Sequence, residues 1–272
     1  MTLMKGFGLA AIIASMAYGQ MQDNQTKQMR CNDSSDGDRA RACEIREQTF
    51  PGLGRLSVDG GQNGGATVKG WLRNEVLVRS KVEAWADTDS QAHAVVGQVQ
   101  VQAAGGQVSA NGPSKGGDGG WSVSYEIFVP QTTDLSLKAH NGGISISDVR
   151  GRIEFDTVNG GVHLKRVAGD VSGNTKNGGL TVDLAGPTWE GRQLEAQTQN
   201  GGVTISIPET YSAHVMAETV NGGMSTDFPL TLQGNLKTRQ LDFNVGSGGP
   251  LIHVSTHNGG VHVKKVSTSA AL

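Results

Sequence analysis

The sequence lacks the charge pattern that marks most nucleic-acid-binding proteins. It carries 23 Lys and Arg against 25 Asp and Glu, a net charge of −2, and its cations are scattered along the chain. A nucleic-acid-binding domain ordinarily concentrates Lys and Arg in a basic patch or stripe. We therefore expect no nucleic-acid partner. Aromatic residues are also scarce, at 5% of the chain.

Cysteine is almost absent, since Cys31 and Cys43 are the only two. A structural zinc site takes four ligands, and no His lies near this pair in the sequence. An even pair in an oxidising compartment ordinarily forms a disulfide; free thiols are the alternative. We predict a Cys31–Cys43 disulfide, with no metal ion and no cofactor.

Long hydrophobic runs are missing beyond the N-terminus. The first apolar stretch, "GFGLAAIIASMA", follows Lys5 and is shorter than the roughly 20 residues that span a bilayer. Small residues at Ala17 and Gly19 suit a signal peptidase; a buried N-terminal helix is the alternative. We predict a signal peptide over residues 1–19, no lipid or transmembrane anchor, and export to the periplasm or the cell exterior.

Glycine, by contrast, is abundant, with 40 residues. Each glycine costs about 1 kcal/mol relative to alanine inside a helix, so this composition favours a turn-rich β protein. The triplet Asn-Gly-Gly (NGG) occurs seven times, and we predict a structural turn at each, starting at Asn63, Asn141, Asn159, Asn177, Asn200, Asn221 and Asn258.

Three structures could use such a triplet. A phosphate-binding loop places its glycines between a strand and a helix, whereas strand-like residues follow these triplets. A hairpin turn remains a rival, because Asn-Gly accepts the positive φ that tight hairpins need. A solenoid stacks equivalent residues about 4.8 Å apart, so that Asn can bond to Asn in a ladder. The solenoid is favoured, with Asn in the left-handed conformation.

Repetition is strongest from Asp134 onward. Counted from Asn141, the triplets are spaced by 18, 18, 23, 21 and 37 residues. Apolar residues recur six residues before each Asn and three and five residues after it, and Thr recurs two residues before it. This alternation of period two on both sides of the triplet predicts strands. One coil buries too little to fold alone, so the coils require stacking and terminal covers.

The first half of the chain predicts a different arrangement. Residues 20–43 are polar and lack apolar periodicity, and strands are predicted over 74–86 and 121–130. One helix is expected between them, capped by Asp87 or Thr88. We assign residues 44–130 to a β-rich capping portion with this helix, 131–266 to the NGG solenoid, and 267–272 to a tail.

The segments "HNGGISISDVRGRIEF", "VNGGVHLKRVAGDV" and "GSGGPLIHVSTHNGGVHVKK" resemble the bacterial putative-adhesin domain of unknown function (four-zero-nine-seven) family. The likeness is close over Asp134 to Val266 and looser over Glu44 to Pro130. It implies an exported cell-envelope β-solenoid that binds at the cell surface, with no catalytic residues to carry over. The sequence departs from the pattern in the 37-residue interval, where "GSGG" stands at Gly246 to Gly249.

Few residues suggest catalysis or metal binding. Glu154 and Asp156 share an outward face and are the best pair for a glycan-acting lyase or hydrolase, although a solvated surface pair is the simpler interpretation. The His residues are expected on the surface, with a weak zinc site on the last coil as the alternative. Trp71, Trp85, Trp121 and Trp189 either form a glycan platform or fill the cap. An outward stripe of Ser145, Thr181, Thr204 and Ser225 suits an extended ligand.

We thus predict a mainly all-β, β-helix-like repeat stack with an N-terminal β-rich portion that carries one helix. The predicted function is a non-enzymatic, exported adhesin-like or structural module, whose partner is a cell-envelope glycan or surface protein. A glycan-acting β-helix enzyme is one alternative. A self-assembling envelope scaffold is another, with an uncovered last coil at "VHVKK" whose Lys264 and Lys265 protect the edge.

Overall fold

The computed structural model of the chain describes residues 29–31, 39–114, 119–229 and 239–267. The predicted signal peptide, most of the polar segment 20–43 and nearly all of the tail lie outside the described residues.

The described residues form twenty strands and one helix. The helix, α1, spans Asp89–Gln98. In chain order the strands are β1 (Ala40–Pro51), β2 (Arg55–Asp59), β3 (Ala66–Trp71), β4 (Glu75–Ala86), β5 (Gln100–Ala104), β6 (Gln107–Asn111), β7 (Gly120–Pro130), β8 (Asp134–Ala139), β9 (Ile144–Ser147), β10 (Arg150–Asn159), β11 (Val162–Lys165), β12 (Ala168–Asn177), β13 (Leu180–Asp183), β14 (Gln193–Asn200), β15 (Val203–Pro208), β16 (Ala213–Asn221), β17 (Met224–Thr226), β18 (Gln240–Val245), β19 (Leu251–Asn258) and β20 (Val261–Val266).

The strands form two 10-stranded sheets with a shared apolar core. Sheet A has the order β1-β4-β7-β3-β9-β11-β13-β15-β20-β17, and sheet B has the order β18-β16-β19-β14-β12-β10-β8-β2-β6-β5. Alternate residues point into the core, as in β10, where Ile153 and Phe155 are buried between exposed or half-buried neighbours. The mainly β architecture predicted from the period-two pattern is confirmed.

Each NGG coil contributes one strand to each sheet, with the triplet at the corner between them. The strand before the triplet lies in sheet B and the strand after it lies in sheet A, and neighbouring coils pair in parallel. The register places the same residue type at the same position of neighbouring coils, so that Thr157 pairs with Thr175 and Asn159 with Asn177. The parallel, in-register stacking expected of a solenoid is therefore present, and a hairpin meander is excluded for these coils.

The order of the coils corrects one expectation. The last NGG coil in the sequence, β19 and β20, inserts between the coil of β14 and β15 and the coil of β16 and β17. The 37-residue interval before Asn258 makes this possible, because the chain first forms β18 antiparallel to the outer edge of β16. Lys264 and Lys265 consequently lie on a strand inside sheet A, and "VHVKK" is not an uncovered last coil.

At the other end, the stack starts before residue 131. β2 and β3, on either side of Asn63, pair in parallel with β8 and β9. β7 then pairs in parallel with β3, and β4 and β1 extend sheet A antiparallel, with β1 at its edge. α1 packs beside β1 and β4 with Thr88 as its N-cap, whose hydroxyl accepts a hydrogen bond from the Gln91 N–H.

The predicted Cys31–Cys43 disulfide is present, with the two Cα atoms 5.7 Å apart. It ties residue 31 to the start of β1, the edge strand of sheet A. No helix among the described residues has the length and apolar character needed to cross a membrane.

The backbone at the NGG corners differs from the expected one. None of the seven Asn, and none of the glycines that follow them, has a positive φ. The first glycine is needed for a different reason, since a Cβ on Gly160 would lie 2.1 Å from the Gly142 carbonyl oxygen of the neighbouring coil. Close approach of stacked backbones, rather than a left-handed turn, therefore requires glycine here.

Left-handed residues occur at the opposite corner instead. Asp148 and Arg166 have φ of 60° and 50° and occupy equivalent places in successive coils. Arg166 donates two hydrogen bonds to the Asp148 carboxylate, at 2.6 and 2.7 Å, which offset part of the conformational cost. The next coil, with the segment "DLAG" at residues 183–186, does not continue this column, because Asp183 pairs with Lys165 and not with Arg166.

Candidate functional site

An unbroken asparagine ladder runs along the NGG rim. Each side-chain amide nitrogen donates to the amide oxygen of the neighbouring coil, at 2.8 to 3.0 Å. In spatial order the ladder comprises Asn63, Asn141, Asn159, Asn177, Asn200, Asn258 and Asn221. All its hydrogen bonds point the same way, so the ladder has an acceptor end at Asn63 and a donor end at Asn221.

A column of buried threonines supports the ladder from inside. Each hydroxyl donates to the carbonyl oxygen of the first glycine in an adjacent coil, as Thr175 does to Gly160 at 2.7 Å. Thr157, Thr198, Thr219 and Thr256 make the equivalent bond. This hydrogen bond explains why a polar residue recurs at a buried position two residues before each Asn from Asn159 onward.

We expect Thr175→Val to lower the free energy of unfolding by about 1–3 kcal/mol, because the half-buried Gly160 carbonyl loses its hydroxyl donor. Urea denaturation measures the change. Thr175→Ser keeps the hydroxyl and removes one methyl group, so it should lose only about 0.8 kcal/mol. Equal losses in the two variants would show that the hydroxyl contributes nothing.

A trough of about 980 Å³ crosses the outer face of sheet B beside this rim. The last residues of β12, β14, β19 and β16 form its floor, and Arg239 and Gln240 lie along its edge at the start of β18. Because side chains alternate across a strand, the residues on either side of each buried Thr face outward. The outward lining side chains are Asn174, Lys176, Gln197, Gln199, Ser255, His257, Glu218 and Val220.

The charges of the trough are unevenly balanced. Lys176 and Arg239 line it, and neither makes an ion pair with any described residue. Glu218 is the one carboxylate in the described lining, and its Oε2 lies 3.4 Å from His253 Nε2. His253 Nδ1 in turn lies 4.0 Å from the Glu195 carboxylate. Lys176 and Arg239 are thus left available to a ligand, whereas the single anion, Glu218, lies beside His253.

The stripe predicted from Ser145, Thr181, Thr204 and Ser225 lies on the other sheet. These residues form one outward column of sheet A together with His163 and His262. Each His contacts a carboxylate: His163 lies 2.8 Å from Asp183 and His262 lies 3.3 Å from Asp227. The hydrogen bond from His262 holds the pKa of Asp227 below its ordinary value. No described group of three His, Cys, Asp or Glu residues is placed to hold a metal ion.

The candidate catalytic pair, Glu154 and Asp156, lies among charged and polar neighbours on the outer face of sheet B. Glu154 accepts hydrogen bonds from the guanidinium of Arg152, at 2.8 and 2.7 Å. Asp156 pairs in register with Lys138 and Asn174 of the adjacent strands. Glu154 is therefore engaged by a cation of its own strand, and Asp156 lies beside Lys138 of the adjacent strand.

The four tryptophans do not share one platform. Trp189 is buried, and its indole N–H donates to the Gly169 carbonyl at 3.0 Å. Trp85 packs over Gly120, and the Trp121 N–H donates to Pro113. Trp71 is half-buried beside Phe128, 5.3 Å between ring centroids, and the Arg73 guanidinium lies over its ring. Three of the four lie in the N-terminal part, where the cap was predicted.

Sequence reasoning missed the trough for two reasons. Ser255 and His257 join Gln197 and Gln199 only because β19 inserts beside β14, which the linear order of the repeats conceals. Arg239 comes from the 37-residue interval, which has no repeat pattern. The sequence did contain one signal of the trough. The residues one and three positions before each Asn are polar in β12, β14 and β19.

Comparison with known proteins supports the architecture. The family model described as Toastrack DUF4097 matches residues 64–264. No curated protein matches the sequence significantly.

Similar solved structures include a putative cell adhesion protein from Clostridium sporogenes, 10% identical, covering 83% of this chain and 100% of that one with a TM-score of 0.45. A putative adhesin from Bacteroides fragilis is 12% identical, covering 82% and 97%, with a TM-score of 0.29. A putative lipid binding protein from Parabacteroides distasonis is 10% identical, covering 82% and 96%, with a TM-score of 0.28.

Structures with TM-scores this low give no information about the site. The family assignment therefore depends on the family model and on the NGG register. The matched region begins within the Asn63 triplet and ends in β20, and it includes all the coils of the stack except β2. With most of its length matched, the protein belongs to the Toastrack DUF4097 family.

Proposed function

We propose that this protein is an exported, non-enzymatic binding module, and that the trough on sheet B binds an extended acidic glycan. The observation that carries the proposal is the pairing of an elongated polar surface with two unpaired cations, Lys176 and Arg239.

The position of the trough favours a glycan over a peptide. It lies on the face of sheet B, where main-chain N–H and C=O groups are already engaged in parallel pairing. A peptide that binds by strand addition requires a free sheet edge and pockets for alternate side chains. Val220 is the one apolar side chain in the described outward lining, so apolar anchors have little to contact.

The chemistry of the lining fits hydroxyl and carboxylate groups. The amides of Asn174, Gln197 and Gln199 offer both donors and acceptors to sugar hydroxyls. Successive coils present these groups about 4.8 Å apart, in line with one extended chain. Lys176 and Arg239 add charge-assisted hydrogen bonds to carboxylates, which are stronger than neutral ones.

Export is supported by the Cys31–Cys43 disulfide, because disulfides persist in oxidising compartments. In the periplasm or outside the cell, acidic polysaccharides of the envelope would be within reach of the trough.

We expect the protein to bind acidic oligosaccharides, such as oligogalacturonate or alginate fragments, more tightly than neutral ones of equal length. Lys176→Ala and Arg239→Ala should each weaken binding about ten-fold, since each removes one charge-assisted contact of about 1.5 kcal/mol. Isothermal titration calorimetry at low and high salt measures both effects, and affinity should fall as salt rises.

Lys165→Ala is the matched control, since Lys165 is an exposed lysine on the outer face of sheet A, away from the trough. It should bind like the unmodified protein. Equal affinity for neutral chains, or no effect of the two trough variants, would refute the proposed site. Release of shorter products from the same oligosaccharides would instead support the glycan-acting enzyme.

A further inference from the structure

The seven Asn-Gly pairs share one chemical property, which is that Asn followed by Gly is prone to deamidation. In this reaction the Gly backbone nitrogen attacks the Asn side-chain Cγ, and the absence of a Gly side chain leaves the approach open. Reaction requires freedom of both groups, because the nitrogen must turn towards Cγ and the side-chain amide must leave its partners.

In four of the seven Asn-Gly pairs, neither the side-chain amide nor the attacking nitrogen is free to move. In the triplets of Asn159, Asn177, Asn200 and Asn258 the side-chain amide both donates and accepts within the ladder. The nitrogen that would attack is also engaged. The first-glycine N–H of each triplet donates to the Asn carbonyl of the next coil, at 3.0 or 3.1 Å. Three hydrogen bonds therefore hold each of these pairs.

Asn221 differs because its coil ends the ladder. Its Nδ2 donates to Asn258 Oδ1 at 2.9 Å, but among the described residues no group donates to its own Oδ1. Nor does the Gly222 N–H bond to a described backbone group. The next residue has open space, since a Cβ on Gly223 would meet no described atom within 4 Å. The two groups that must move, the Asn221 side-chain amide and the Gly222 N–H, are thus restrained by one hydrogen bond to described residues, whereas three restrain those of each inner pair. The Asn221 carbonyl still accepts from the Gly259 N–H at 3.0 Å.

We propose that Asn221 is a site of spontaneous deamidation, and that its modification releases the terminal coil from the ladder. The Gly222 nitrogen forms a bond to Asn221 Cγ, the Cγ–Nδ2 bond breaks, and ammonia leaves with the proton from Gly222. Water then opens the resulting succinimide at either carbonyl, giving aspartate or isoaspartate. The balance is one water consumed and one ammonia released, with no change of oxidation state.

The deamidated residue cannot keep the side-chain hydrogen bond between residue 221 and Asn258. A carboxylate has no proton to donate to Asn258 Oδ1, and two oxygen atoms would then face each other across the former hydrogen bond. Isoaspartate in addition lengthens the main chain by one carbon at the corner, where the Gly222 backbone is in close contact with the Gly259 carbonyl. The coil of β16 and β17 therefore loses its fit to the coil of β19 and β20.

The test is to age the folded protein at mildly alkaline pH and to map peptides by mass spectrometry, which detects the gain of about 1 Da per site. We expect Asn221 to deamidate at least about ten-fold faster than Asn159, Asn177, Asn200 and Asn258, because two additional hydrogen bonds must break at the inner rungs. Hydrogen exchange on the aged protein should show lost protection in β16 and retained protection in β12.

Ageing in urea is the internal control, since unfolding exposes the same dipeptide at every site and the rates should converge. An inner rung that reacts as fast as Asn221 in the folded protein would overturn the proposal. So would a rate difference that persists in urea, because local sequence and not the ladder would then set it. Neither readout depends on glycan binding.

Discussion

Gly178→Ala is expected to lower the free energy of unfolding by about 3 kcal/mol or more, because the added methyl group overlaps backbone atoms of the neighbouring coil. A Cβ at residue 178 would lie 2.2 Å from the Gly160 carbonyl oxygen, 2.5 Å from its carbon and 2.8 Å from the Gly161 nitrogen. All three are backbone atoms held in the parallel stack, so neither partner can rotate away. The two coils must separate locally, which also stretches the Asn159–Asn177 hydrogen bond.

The second glycine of the same triplet provides the control. A Cβ on Gly179 would have its nearest contact at 3.6 Å, with the Gly202 carbonyl oxygen, and its φ is not positive. Gly179→Ala should therefore stay within about 1 kcal/mol of the unmodified protein, and reduced freedom of the unfolded chain favours it. Urea denaturation of both variants compares them directly. Similar losses would show that turn conformation, and not close stacking, requires these glycines.

The contrast between the two glycines also shows what the sequence could predict. The period-two alternation and the repeated Thr and Asn columns predict parallel register, because only stacked coils bring like residues together. The reason for glycine could not be predicted in the same way. Asn-Gly-Gly is compatible both with a positive φ and with close backbone approach. The observed backbone, with Gly178 close to Gly160, is needed to decide between these two explanations.

The stacking order and the candidate site were less predictable for a related reason. Sequential elements usually lie side by side, and this expectation placed "VHVKK" at the end of the stack. The antiparallel strand β18 covers β16 instead, which moves the coil of Asn258 inward. The trough depends on that insertion, since Lys176 and Arg239 are brought to one face only by strands distant in sequence.

The asparagine ladder supplies a second prediction of large effect, through its donors. Asn159 Nδ2 donates to Asn141 Oδ1 at 2.8 Å, and Asn159 Oδ1 accepts from Asn177 at 2.8 Å. We expect Asn159→Asp to lower the free energy of unfolding by about 1–3 kcal/mol near neutral pH. The carboxylate still accepts from Asn177, but it cannot donate to Asn141 and places a charged oxygen against the Asn141 oxygen.

The pH dependence of this variant identifies the lost donor. The ladder disfavours the charged form, so the folded-state pKa of the new carboxyl rises above its ordinary value of about 3.9. A group whose pKa is raised by folding stabilises the protein below its unfolded pKa, and that stability is lost as the pH rises through the folded pKa. The deficit relative to the unmodified protein should therefore shrink below about pH 4, where the protonated carboxyl can donate to Asn141 Oδ1.

Gln197→Glu makes the same amide-to-carboxylate change three residues before a ladder position, at an exposed site whose partners on the adjacent strands, Asn174 and Ser255, are uncharged. Its effect on the free energy of unfolding should stay within about 0.5 kcal/mol at every pH. Urea denaturation of both variants across the acid range tests the pair. If the deficit of Asn159→Asp grew on acidification, or matched that of Gln197→Glu, the amide would not be acting as a donor. The ladder would then be a consequence of the register rather than one of its causes.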